Sequence, residues 1–218
     1  MKYTGRVVVF LLVFVINSSY IAYYYMVDGH VEIIEKVGLP IMLCLAWFFG
    51  RQYDQAKFLS DRDVLTKAYN RRFIYKTFSK LQSKVNRMKD KLTVFVVDID
   101  KFKCINDTYG HEIGDEVLQQ ISNALLSSVR KIDIVSRWGG DEFLIIVPCT
   151  DKIGIEIVIH DIEKDLQKLS RHLKADISVS IGTAIYPNDA KTLDDLVRIA
   201  DRNMYHFKAR KAGNQQKM

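Results

Sequence analysis

The chain has 218 residues, 27% of them charged and 48% hydrophobic, with a net charge of +6. That length and balance fit one ordinary domain plus an appendage and exclude a disordered chain. The positive charge is dispersed, and no basic and aromatic stripe suggests a nucleic-acid partner.

Several basic residues flank apolar segments near the start, where an anionic lipid surface accounts for them. Residues 7–26 are apolar for most of their length, enough for one membrane helix. A second apolar run covers 37–49, extended to about 34–50, and contains Pro40. We expect two crossings, a transmembrane helical hairpin over residues 1–50, with one crossing plus an interfacial helix as the alternative. Lys2 and Arg6 precede the first run, and Arg51, Lys57 and Arg62 follow the second. Asp28, His30, Glu32 and Glu35 lie between. This asymmetry predicts a multi-pass protein with both termini and the soluble domain in the cytoplasm. A cleaved leader fits less well, because no small-residue cleavage pattern follows the first run. The outer loop is too short to be a sensory domain, so a signal is expected to be read in the membrane itself or through the helices of a separate sensory membrane partner. Residues 51–64 read as a helical connector.

Within 65–214 the pattern predicts helix, strand, helix, strand, strand, helix, strand, helix. Helices are expected over 70–88, 115–129, 153–173 and 193–207, strands over 92–99 and 177–185, and an irregular link over 102–114. The runs 132–135 and 143–147 flank a tight turn and predict an antiparallel hairpin. The expected fold is α/β: a palm-like, ferredoxin-like mixed sheet flanked by helices. Cys44, Cys104 and Cys149 have neither metal-ligand spacing nor pairing logic and read as reduced.

The hairpin turn carries Gly139, Gly140, Asp141 and Glu142. Adjacent acids at a turn suit a hard cation, and two glycines leave room for a phosphate chain. Asp98, at the end of the central strand, comes beside Asp141 in a palm-like sheet. The pair suits metal-assisted chemistry on a nucleoside triphosphate. Asp100 reads as structural. Lys103, Arg137 and Lys208 are candidate phosphate neutralisers, although helix dipole and solvation also explain Lys208. Asn106 and Asp115 suit a guanine edge, and Asp115 could equally cap the helix that it opens. No GxGxxG or GxxxxGK loop is present.

Four blocks resemble the GGDEF family of diguanylate cyclases: Asp63-Val64-Leu65-Thr66 running to Asn70-Arg71-Arg72; the stretch from Asp98 to Asp115; Arg137-Trp138-Gly139-Gly140-Asp141-Glu142-Phe143; and Ala200-Asp201 with Met204-Tyr205 and Lys208. The resemblance covers residues 60–214 and implies a bacterial enzyme, which the apolar runs at the start of the chain are expected to anchor in the inner membrane. It implies condensation of two GTP into cyclic di-GMP and two pyrophosphates between the domains of a homodimer. Asp98, the Ile99 carbonyl and Asp141 would hold Mg²⁺ or Mn²⁺, and Glu142 would activate the attacking hydroxyl. Gly139 and Gly140 would pass under the phosphates, Lys103 and Lys208 would meet them, and Asn106 and Asp115 would read guanine. Arg130 and Asp133 match the family's inhibitory site for the product. A non-catalytic module that binds GTP or cyclic di-GMP is the alternative. The chain departs from the family at Lys67-Ala68, at Cys104, and near its end. There the usual second phosphate-binding Arg is absent, and Arg210 or Lys211 is expected to substitute.

Overall fold

The structure is a computed structural model that describes residues 4–30, 33–173 and 177–215. It leaves the side chains of 28, 35, 172, 173 and 210–215 outside that description, so the expected substitution by Arg210 or Lys211 falls outside it. The chain forms two compact units, residues 1–60 and 61–218.

The first unit holds α1 (Thr4–Asp28) and most of α2 (Ile33–Asp61). The two helices meet where side chains are small. A Cβ at Gly50 would lie 2.6 Å from the Arg6 Cα. The Gly5 N–H donates to Asp54 Oδ1 at 2.8 Å, and Arg6 pairs with the same carboxylate at 3.5 Å. Among the described residues, one helix segment, Thr4–Val27, is long and apolar enough to cross a membrane, by length and composition alone. The expected second crossing is therefore corrected, and with it the multi-pass topology and its cytoplasmic termini. The run 37–49 spans only about 20 Å at about 1.5 Å per residue, against a hydrocarbon core of about 30 Å. Extending it meets Lys36 on one side and Arg51 on the other, and α2 continues past both as one helix.

The second unit is built on a five-stranded sheet in the order β1-β3-β4-β2-β5. Its strands are β1 (Tyr69–Asn70), β2 (Leu92–Ile99), β3 (Ile134–Arg137), β4 (Glu142–Pro148) and β5 (Val179–Tyr186). Strand β1 pairs parallel with β3; all other pairs are antiparallel, so the sheet is mixed, as expected. β2 is central and buried on both faces, which explains its nearly continuous apolar sequence.

One face, through Phe95, Val97, Phe143 and Ile145, packs on α5 (His111–Ser127) and α6 (Lys152–Leu173). The other, through Val94, Val96, Leu144 and Ile146, packs on α3 (Arg71–Met88) and α7 (Leu193–Gln215). Two expectations shift. The link predicted as irregular contains α4 (Phe102–Tyr109), and the helix after it begins at His111 rather than 115. Asn70 caps α3 by accepting from the Phe73 N–H at 3.0 Å.

β5 and α7 approach so closely that only glycine fits at position 182. A Cβ there would lie 2.1 Å from the Ala200 carbonyl oxygen and 2.3 Å from the Met204 nitrogen. Both are backbone atoms and cannot swing aside. Gly182→Ala should therefore lower stability by about 2 kcal/mol, read as a lower urea midpoint with the slope unchanged.

Candidate functional site

Strand register gathers the acids. Asp98 lies opposite Glu142 on β4 and Ser180 on β5. The period of two puts Asp98 and Glu142 on the α3–α7 face, just past the apolar Val96 and Leu144. The turn between β3 and β4 is closed by N–H groups of Trp138 and Gly139, which donate to the Glu142 carbonyl at 2.8 and 3.2 Å. The Ile99 N–H donates to the Asp141 carbonyl at 3.3 Å. Asp98, Ile99, Asp141 and Glu142 thus share one end of the β2–β4 ladder.

From α7, the Lys208 ammonium donates to Asp98 Oδ1 and forms an ion pair with it. Burial pushes the Asp98 carboxyl above its ordinary value. Lys208 opposes that shift, and the charges of Asp141 and Asp100 add to it. Burial also raises Glu142, reinforced by Asp98, Asp201 and Asp141 and opposed by Arg71. Burial works against the Lys208 charge, but Asp98, Asp100 and Asp141 outweigh it, so the ammonium is held above its usual value. The site is an excess of negative charge calling for cations.

Among the described residues, no group of three or more His, Cys, Asp or Glu converges to hold a metal ion. The donors at hand are two carboxylates, Asp98 and Asp141, with the Ile99 carbonyl. An all-oxygen, partial set of this kind fits Mg²⁺, which keeps several positions for water or substrate oxygens.

Asp100 turns away to structural work: the hydroxyls of Ser178 and Ser180 each donate to it at 2.6 Å, tying the end of β2 to the start of β5. Arg137 is likewise committed. Its Nε and Nη2 donate to the Gly140 carbonyl at 3.0 and 2.7 Å, and Nη1 pairs with Asp63 at 3.3 Å. Asp63 also accepts from the Thr66 N–H at 2.9 Å and the Thr66 hydroxyl at 2.8 Å. A relay from Asp63 through Arg137 therefore fixes the signature turn. A Cβ at Gly140 would meet nothing within 4 Å, so the fold itself leaves open space over that residue.

Asn106, Lys103 and Asp115 lie on the neighbouring helices α4 and α5. A Cβ at Gly114 would fall 1.8 Å from Asn106 Oδ1, so glycine there admits the amide. That Oδ1 is buried with no hydrogen-bond partner among the described residues. Asp115 is exposed and lies inside α5, so it is not a cap; Gly110 precedes the helix with no side-chain cap bond. Lys103 is exposed. Arg130 and Asp133 stand apart, by the far end of β4. Asp133 accepts from Arg130 Nε and Nη2 at 3.2 and 3.1 Å, and Nη2 also reaches the Pro148 carbonyl at 2.9 Å. Asp63, Arg71 and Asp201 had no assigned role in the sequence reading, although each falls in a motif block.

A palm-like α/β domain with an acid-tipped hairpin at the end of its central strand is the class that this fold and site define. The family model for the diguanylate cyclase GGDEF domain matches residues 60–214. The chain belongs to that family. It is 39% identical over 152 residues to diguanylate cyclase DosC of Escherichia coli K12, covering 68% of this chain and 33% of that protein. It is 34% identical over 167 residues to the response regulator PleD of Caulobacter vibrioides, covering 74% of this chain and 37% of that protein. The chain thus spans about a third of the length of these curated relatives. The solved GGDEF domain of PA1120 (TpbB or YfiN) from Pseudomonas aeruginosa superposes with a TM-score of 0.64 at 34% identity, covering 68% of this chain and 89% of that one.

The Asp63 carboxyl offers a pH test. Burial raises it, but the Thr66 hydrogen bonds and the Arg137 charge outweigh burial and hold it below its ordinary value. A lowered folded-state value stabilises above the unfolded one, about 3.9, and that contribution is lost as pH falls through the folded one. Asp63→Asn should cost about 1–2 kcal/mol at pH 7. In urea unfolding, the gap to wild type should persist to about pH 4 and close below it.

Proposed function

We propose that the chain condenses two GTP into cyclic di-GMP and two pyrophosphates across a homodimer. The observation that carries this reading is the convergence of Asp98, Asp141 and Glu142 at one end of the β2–β4 pair, with Lys208 on Asp98. Family membership and the intact Gly139-Gly140-Asp141-Glu142-Phe143 signature support it.

In this reading, guanine donates its N–H groups to the Asn106 oxygen and to Asp115. The open space over Gly140 admits the phosphates, which pass over Gly139 as well, and Lys103 and Lys208 neutralise them. Asp98, the Ile99 carbonyl and Asp141 would hold Mg²⁺ or Mn²⁺, which supplies charge neutralisation at the α-phosphate. Glu142 takes the proton of the attacking 3′-hydroxyl; burial and the neighbouring acids raise its proton affinity, which favours that transfer. In each step a 3′-oxygen bonds to an α-phosphorus, and the bond to pyrophosphate breaks. One domain cannot bring its own nucleotide's ends together, so two copies of the chain must face each other. Arg130 and Asp133 would bind cyclic di-GMP and slow the enzyme; the product must then compete with their mutual ion pair. The exposed apolar side chains of α1 would insert into membrane lipid.

Two outcomes test the reading. Purified Asp141→Asn should lose cyclic di-GMP synthesis, by more than about 100-fold, while melting like wild type. Retained turnover would remove Asp141 from the chemistry. Arg130→Ala should keep its initial rate yet tolerate product at concentrations that stall wild type; stalling at the same concentration would refute the inhibitory role.

A further inference from the structure

Helix α3 carries six basic residues and no acid. Dispersed along the sequence, most of them gather once the helix forms. Arg72, Lys76, Lys80 and Lys84 follow one another at i, i+4 spacing, and at about 100° per residue Arg87 falls within the same arc. All five are exposed. Ile74, Phe78 and Val85, on the opposite side of the helix, are buried against the sheet. A stripe of positive charge therefore runs the length of α3 and faces away from its own domain.

Like charges at i, i+4 repel one another and weaken a helix. The domain does little to offset this. Among the described residues, Lys76 pairs with Asp61 at 3.3 Å, whereas Arg72, Lys80, Lys84 and Arg87 form no ion pair. The helices on the other face of the sheet are composed differently. α5 carries Glu112, Asp115 and Glu116 and no Lys or Arg, and α6 carries four acids against four Lys or Arg. Charge is thus one-sided across the sheet, a distribution that an anionic surface orients.

The stripe is poorly suited to nucleic acid, because it offers no free aromatic ring on which a base could stack. Phe73 lies against Tyr69 with ring centroids 3.7 Å apart, and Tyr75 stacks on Trp138 at 5.7 Å. A lipid surface needs no such platform. It takes a row of cations, and each Lys or Arg brought near it strengthens attachment about fivefold. The same chain carries α1, apolar and long enough to cross a membrane, with Val8, Leu12 and Val15 among its exposed side chains.

We propose that the stripe formed by Arg72, Lys76, Lys80, Lys84 and Arg87 docks on an anionic lipid surface. This inference rests on the insertion of α1 into lipid proposed above. Docking holds the catalytic domain by its α3 side and leaves the α5–α6 side to solvent. The contact is electrostatic, so salt weakens it: the screening length is about 10 Å at 0.1 M and about 3 Å at 1 M.

The test reconstitutes the full chain in nanodiscs of phosphatidylcholine, alone or with phosphatidylserine added, and acetylates its lysines under identical conditions. Mass spectrometry reads the rate at each site. At low salt, Lys80 and Lys84 should react about threefold or more slowly in the anionic discs. Lys164, exposed on α6 across the sheet, should react alike in both. About 1 M salt should erase the difference. Arg72→Gln combined with Arg87→Gln removes two charges and leaves the reporting lysines in place, so it should bring their rates in the two discs together. Equal rates at Lys80 and Lys84 in the two discs, for a wild-type chain that enters both, overturn this inference alone. So does a slowing that Lys164 shares, which is a general effect of surface charge. Slowing in neutral discs as the number of chains per disc rises would assign the face to a second copy, and slowing there on addition of RNA would assign it to nucleic acid; either result overturns the lipid contact. A chain that enters neither disc overturns the insertion of α1, and this inference with it.

Discussion

The antiparallel register of β2 against β4 is the constraint on which the site depends. It sets Asp98 opposite Glu142 and brings Asp141 within one hydrogen bond of Ile99. Like charges directly across a ladder are unfavourable, and burial makes them more so. The fold accepts this because the rest of the ladder is apolar and buried, from Leu92–Pro148 to Val97–Phe143. The pairing energy of those residues fixes the acids where solvent would otherwise let them separate. Sliding the register by one residue would turn every side chain of a strand to the opposite face, so the apolar pattern specifies the geometry of the polar site.

Cations around that cluster then define distinct roles. Lys208 meets Asp98 directly. Arg137 is spent on Asp63 and on the Gly140 carbonyl, which holds the turn in shape. Arg71 is pinned against Trp138, and its charge opposes the rise of the Glu142 carboxyl. Three basic residues that look alike in sequence are thus separated by what each one touches. The same holds for the acids: Asp100 is satisfied by two serine hydroxyls, whereas Asp98 faces other carboxylates.

Much of this was legible in the sequence, for identifiable reasons. The strand over 92–99 coincides with β2 because an unbroken apolar run of that length is what a strand buried on both faces requires. The hairpin was legible from two apolar runs around glycines, although β3 and β4 begin one to two residues from the expected limits. Helix α4 was missed because its flanks give no signal: Lys101 precedes it in a left-handed conformation with no side-chain cap, and only Phe102 and Ile105 face the core. The two-residue strand β1 has no period to read. The Asp63–Arg137 pair spans 74 residues and is set by β1 lying beside β3, so no local pattern announces it. The second membrane crossing failed on length, since the apolar run ends before a bilayer would.

In the proposed function this carboxylate cluster joins two GTP molecules. The most direct measurement incubates the purified full-length chain with GTP and Mg²⁺ and separates the products by chromatography. Cyclic di-GMP with twice its amount of pyrophosphate is the expected result. Recovery of bound but unchanged GTP, or of GDP and phosphate, would contradict it.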